Sequence, residues 1–252
     1  MTNAGPLAVP EAARIDLAAT GKLRAGINLS NTLLSTRDPA SGEVRGVAVD
    51  LARELGRRIG VPVETVCYDS PGQMADAAQS GSWDIAFLAA EPARAATIAF
   101  TAAYAEIEAT YLVPKDSPLR SIAEVDREGV RIALSARSAY DLYLTRSLQR
   151  ATLVRGEGLE NALQLFVDEG MEALAGLRPM LVGYAARIPG SQVLAGKFTA
   201  IQQAIGMPTG RYAGAEFLRE FVEEAKRSGL VGELIARHEV RGLSPVPLVA
   251  TA

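Results

Sequence analysis

Apolar and polar positions along this chain switch repeatedly between a two-residue and a three-to-four-residue period. Lys22-Leu-Arg-Ala-Gly-Ile-Asn28 reads as a strand, and the turn-rich Asp38-Pro-Ala-Ser-Gly42 leads into a short strand ending at Gly46. The period then changes. Val49, Ala52, Leu55 and Ile59 recur at three- and four-residue spacing with Arg53, Glu54, Arg57 and Arg58 opposite, which predicts an amphipathic helix. Gly60 and Pro62 end it, and the β-branched content from Val61 to Tyr68 predicts the next strand. Strand, helix, strand implies a parallel pair joined by a crossover.

The pattern continues with a short helix over 71–80 and an apolar run, Trp83 to Ala89, suited to a buried parallel strand. Glu91-Pro92 opens a helical turn, with proline where its missing N–H costs nothing, and Phe100 to Tyr104 closes the first block. Ala109 to Pro114 is a long connecting strand. A second block follows, with strands predicted at 129–134, 151–154, 173–175 and 192–194. Its helices fall at 121–125, 139–149, 158–169 and 179–187. The chain returns through Ala200 to Gly206. A final amphipathic helix, 214–228, buries Phe217, Leu218, Phe221, Val222 and Ala225 and is capped by Gly229, and a helix-like run precedes His238. The tail from Leu243, with Pro245 and Pro247, reads as a loosely held end.

This alternation places the chain in the α/β class, as two lobes with mostly parallel central sheets flanked by helices. Two segments, Ile107 to Val113 and Ala200 to Gly206, read as hinge crossings. They predict a first lobe from 1–107 and 204–252 and a second from 111–200. No internal sequence repeat or low-complexity tract is visible.

Composition then removes several function classes. The 252 residues are 48% hydrophobic and 22% charged with a net charge of −3, an ordinary globular balance. Basic residues are scattered, so no nucleic-acid partner is expected, since phosphate backbones need clustered positive charge. A single cysteine, Cys67, read as a buried core residue, and a single histidine, His238, leave no thiolate metal site, zinc site or Ser-His-Asp triad. No metal, cofactor or catalytic set is therefore expected. No stretch approaches the ~20 apolar residues of a membrane span. Met1 to Thr20 has no basic start followed by an apolar core. That reads as cytoplasmic for the chain as written, and periplasmic if a leader has been removed.

Four stretches together carry a family resemblance. They are Gly21-Lys-Leu-Arg-Ala-Gly26; Gly46-Val-Ala-Val-Asp-Leu-Ala52; Trp83-Asp-Ile-Ala through Pro92-Ala-Arg94 to Phe100-Thr-Ala-Ala-Tyr104; and Gly129-Val-Arg-Ile-Ala-Leu134. In this order and spacing the chain resembles the bacterial extracellular solute-binding proteins of family 3, which have the type II periplasmic-binding-protein fold. The resemblance implies a protein that closes on a small-molecule ligand in a cleft between its lobes and delivers it to an ABC-type permease, and the chain is expected to be a monomer.

The resemblance also implies a ligand-binding set. Arg94 falls where amino-acid binders of the family place an arginine that pairs with the ligand carboxylate, a task that suits a planar guanidinium; a surface arginine on a helical turn is the plain alternative. Ser138 and Ala139 match the second-lobe turn whose backbone N–H groups meet the same carboxylate at a helix N-terminus, although a serine there is also an ordinary N-cap. Arg137 takes a place where the family often has glycine, and either adds a positive contact or points to solvent. Ala89 replaces a small hydroxyl residue and Asn31 an aromatic. Leu177 stands where the family has the acid that meets the ligand's α-ammonium. Burying an ammonium without a counter-charge is costly, so the expected ligand is a small carboxylate-bearing solute with no required amine. Asn28, Asn31 and Gln202–Gln203 offer uncharged hydrogen bonds, and Phe87, on the same strand as Ala89, completes the candidates.

Two other readings stay open. Some relatives of the family are dehydratases of cyclic carboxylates, and Glu91, Glu106, Glu108 and Glu172 are candidate general acids for such chemistry. The absence of a leader equally suits a cytoplasmic ligand-sensing module.

Overall fold

Among the described residues, those up to Ala105 and from Gln202 onward form one compact unit, and Glu106–Ile201 forms a second. The computed structural model describes residues 9–248. The first unit opens with α1 (Glu11–Leu17), β1 (Leu23–Asn28), β2 (Thr36–Arg37), β3 (Val44–Arg45) and α2 (Val47–Ile59). It continues through β4 (Val63–Tyr68), α3 (Pro71–Asp76), β5 (Ile85–Ala89) and β6 (Ile98–Phe100). β7 (Ala105–Pro114) leads into the second unit. There follow β8 (Arg131–Ser135), α4 (Ala139–Ser147), β9 (Thr152–Gly156), α5 (Gly158–Asp168), β10 (Ala173–Leu177), α6 (Arg178–Arg187) and β11 (Ser191–Val193). β12 (Thr199–Pro208) carries the chain back to α7 (Tyr212–Arg227), α8 (Leu230–Arg237) and β13 (Leu243–Pro245).

Within the first unit β1 lies between β4 and β5, parallel to both. β12 then runs antiparallel to β5, and β6 antiparallel to β12. The second unit has the same design: β8 lies between β9 and β10, all parallel, and β7 runs antiparallel to β10. Each parallel trio is made by crossover helices, so helices cover the sheet and the strands read as apolar runs.

The helical stripe on α2 is buried as its spacing predicts, with Val49, Ala52, Leu55 and Ile59 all facing inward. Burial of each large member contributes roughly 1.5–3 kcal/mol. In the first unit Met74, Trp83, Ala86, Leu88 and Ile98 form one core cluster, and the Trp83 indole N–H donates to the Met74 carbonyl at 3.1 Å. In the second, Leu112, Ala133, Phe166, Leu174, Leu181 and Tyr184 are packed together.

Two local expectations are corrected, and one helix carries no pattern that predicts it. α1 carries only two buried residues, Ala13 and Leu17, too few to show as a periodic stripe, and it forms because it packs on α7. The described part of the tail, 243–248, is held rather than loose: Leu243 is buried, and the Val246 N–H donates to the Tyr104 carbonyl at 3.1 Å. Cys67 is half-buried, because β4 is an edge strand of its sheet.

Candidate functional site

In open α/β sheets ligands bind beyond the carboxyl ends of the parallel strands. In the first unit those ends are Asn28 on β1 and Ala89 on β5. The Asn28 side-chain oxygen accepts from the Ser30 N–H at 3.1 Å and its hydroxyl at 2.7 Å, an Asx turn that bends the chain away from the sheet. The loop then folds over itself: the Asn31 carbonyl accepts from Leu34 and Ser35, and the Leu34 carbonyl accepts from Ala48 in the first turn of α2. This close approach requires Gly46. Its φ is 136°, and a Cβ there would lie 2.3 Å from the Leu34 oxygen. The loop holds Asn31 with its Oδ1 buried and without a hydrogen-bond partner. An orphaned buried acceptor costs about 1–3 kcal/mol, which a ligand donor would recover.

After β5 the chain makes a short 3₁₀ turn, Pro92–Arg94, with proline at its start. The turn tucks Arg94 inward until only 5% of the residue is exposed, and one guanidinium N–H donates to the Ala89 carbonyl at 3.0 Å. A guanidinium carries five N–H donors in a planar fork, the geometry that suits a carboxylate. Gln203 on β12 pairs with Ala89 and is also buried. The strand ends thus bring Asn28, Asn31, Ala89, Arg94 and Gln203 to one edge of the first unit.

Phe87 is not at that edge. It lies inside the unit, 2% exposed, edge-to-face with Tyr104 at 6.1 Å between centroids. The Tyr104 hydroxyl is itself buried without a partner, and burial alone raises its pKa, so the phenol stays neutral.

In the second unit β8 and β10 end beside one another and open into α4 and α6. Ser138 is the N-cap of α4, its hydroxyl accepting from the Asp141 N–H at 3.1 Å. The hydroxyl therefore does the work of an ordinary cap, satisfying one of the N–H groups that a helix start leaves without an intrahelical acceptor. Arg137 has a φ of 58°, the left-handed conformation that favours glycine, which accounts for the family's preference at this place. Its N–H donates to Asp141 Oδ2 at 2.7 Å, and its side chain is exposed. Asp141 Oδ1 accepts from Arg155 Nε at 2.9 Å. Leu177 ends β10 opposite Ala109 of β7. The edge of the second unit thus gathers Arg137, Ser138, Ala139 and Leu177.

A further charged cluster beside Leu177 has no sequence signal, because its members are far apart in the chain. Arg178 Nε donates to Glu108 Oε2 at 2.8 Å, and Lys197 Nζ lies 3.3 Å from Glu108 Oε1. Arg178 also donates to the carbonyls of Leu194 and Gly196. Of the acids considered for dehydratase chemistry, Glu108 is held by these cations, whereas Glu172 lies at the opposite, amino-terminal end of β10 on Arg131. Among the described residues no group of three or more His, Cys, Asp or Glu is placed to hold a metal. His238 donates or accepts at 2.8 Å with Asp50 of α2.

A family model described as bacterial extracellular solute-binding proteins, family 3, matches residues 23–239. The chain belongs to this family. It is a solute-binding protein of the ABC-transport type, and the family implies a small-molecule ligand and a transporter partner. Comparison with curated protein sequences found no match.

Solved structures are similar to this solute-binding protein along most of its length. The solute receptor for L-cysteine of Neisseria gonorrhoeae is 20% identical with a TM-score of 0.76, covering 93% of this chain and 99% of that one. AbpA from Streptococcus pneumoniae, an amino acid ABC transporter substrate-binding protein bound to L-arginine, is 18% identical (TM-score 0.73; 89% and 98% covered). The ancestral amino acid-binding protein AncCDT-1, a precursor of cyclohexadienyl dehydratase, is 22% identical (TM-score 0.73; 89% and 97% covered). At these identities the likeness establishes the fold, the two-lobed α/β architecture of periplasmic binding proteins. The family and these neighbours are binding proteins.

Proposed function

We propose that this protein binds a small carboxylate-bearing solute that needs no α-ammonium group, and presents it to an ABC-type permease. The observation that carries this reading is Arg94, a buried guanidinium at the carboxyl edge of the first unit's parallel strands. Its charge is fixed, and its fork matches a carboxylate bidentately. The N–H groups opening α4 in the second unit are a further donor set suited to an anionic group. Asn28, Asn31 and Gln203 supply neutral hydrogen bonds to the rest of the solute. The relatives named above include amino-acid binders, but here Leu177 ends β10 and offers an ammonium no counter-charge.

The test is isothermal titration of matched pairs that differ only in the amine: L-glutamate with glutarate, L-norvaline with valerate, and L-arginine with its deaminated analogue. The expected result is binding of at least one deaminated member with a Kd within about tenfold of its amino acid. An amino acid preferred a hundredfold throughout, or no binding by any of the compounds, contradicts the reading.

A further inference from the structure

The charges at the carboxyl ends of β8 and β10 are unevenly matched. Arg178 and Lys197 share one carboxylate, Glu108, while Arg155 holds Asp141, so both carboxylates are already engaged. Asp141 is 3% exposed and holds the Arg137 N–H, Arg155 and Thr145. Glu108 is reachable, with 45% of its side chain exposed, but it accepts from Arg178 on one oxygen and lies against Lys197 on the other. Arg178 is in turn anchored by the Leu194 and Gly196 carbonyls, and Thr110 Oγ1 donates to those same carbonyls at 3.3 and 3.0 Å. The cluster is therefore braced from β7, α6 and the turn after β11, and its guanidinium cannot swing away without giving up three acceptors.

We infer that Arg178 is a specificity-determining residue, which masks Glu108 and leaves the end of β10 net cationic, so that a solute bearing an ammonium group is disfavoured there. An ammonium arriving beside Leu177 meets an apolar side chain, one carboxylate and two cations. Like charges within a few ångströms of a partly desolvated site repel measurably. The inference rests on the carboxylate reading above and deepens it, since it explains what keeps Glu108 from serving an amine.

Removing each partner should move selectivity in opposite directions, which a merely structural role would not do. The probes are the same matched pairs, and the readout is the ratio of the Kd of the amino acid to that of its deaminated analogue. Arg178→Gln unmasks Glu108 and should lower the ratio on the order of tenfold. Glu108→Gln leaves two cations uncompensated and should raise it by roughly threefold or more. Circular dichroism checks that each variant is folded; should Arg178→Gln fail to fold, Lys197→Gln, at an exposed position, is expected to lower the ratio by a smaller factor. A wild type that prefers the amino acids a hundredfold overturns the carboxylate reading itself. A wild type that behaves as proposed, with a ratio unmoved by these substitutions or moved the same way by both, overturns only the role of Arg178.

Discussion

Each unit fastens its first parallel strand by the same device, and the two copies differ in burial. In the first, the Arg24 backbone N–H and Nε both donate to Asp84 Oδ2 at 3.0 Å, and Nη2 donates to Oδ1 at 2.7 Å. A third guanidinium nitrogen reaches the Gly81 carbonyl. In the second, Arg131 donates from its backbone N–H and Nε to Glu172 Oε2 at 2.7 and 3.1 Å, and from Nη2 to Oε1 and the Gly170 carbonyl. The acid just before a neighbouring parallel strand grips the arginine at the start of the first. Yet Asp84 is fully buried and also holds Arg211 at 3.1 Å, whereas the Glu172 side chain is 35% exposed. Burial pushes the Asp84 carboxyl up, and hydrogen bonds from Arg24 and Arg211 more than reverse it; Glu172 is lowered chiefly by its bond to Arg131. One local design thus has two energetic weights, set by solvent access rather than by geometry.

The largest expected effect follows from that difference. Asp84→Asn strands two guanidinium groups beside a neutral amide in a dry site and should cost about 3–5 kcal/mol of unfolding free energy. Glu172→Gln, at a site open to water, should cost about 0.5–1 kcal/mol. Urea denaturation of the two variants compares them directly, and equal losses would break the contrast between the units.

A smaller effect sharpens it through pH. Hydrogen bonding from Arg57 first, with Arg58 adding to it against a desolvation cost, lowers the pKa of Glu54 on α2 from 4.5 to about 2. A depressed carboxylate contributes stability that is present above its unfolded pKa and lost as the pH falls through the folded one. The first unit should therefore lose about 1–2 kcal/mol between pH 4.5 and about 2. Thermal melts across that range should show a shallower acid slope in Glu54→Gln; an unchanged slope would remove Glu54 from the account.

The repeated clamp also shows what the sequence makes legible and what it does not. β1, α2 and β5 are visible from periodicity because each buries a continuous stripe or run, and their ends bring Asn28, Ala89 and Arg94 to one edge. Arg24 and Asp84 are far apart in the chain, as are Arg131 and Glu172, and one acid is Asp where the other is Glu. No internal repeat is visible in the residues for that reason; the likeness lies in the contacts. Glu108, Arg178 and Lys197 escape for the same reason, while α1 escapes because its stability comes from α7 rather than from its own pattern. Phe87 lies two residues before the end of β5, on the same face as Ala89, with its ring packed edge-to-face on Tyr104.

The central claim is that a buried arginine at the carboxyl edge of the first unit anchors the solute's carboxylate. Titrating whichever carboxylate binds the wild type most tightly into Arg94→Ala tests it most directly. Truncating one partner of a desolvated charge pair costs on the order of 2–5 kcal/mol, or roughly a thirty- to several-thousand-fold loss of affinity, and that is the predicted result for a protein that still melts cooperatively. Wild-type affinity in a folded Arg94→Ala would contradict the account and leave Arg94 a structural residue of the Pro92–Arg94 turn.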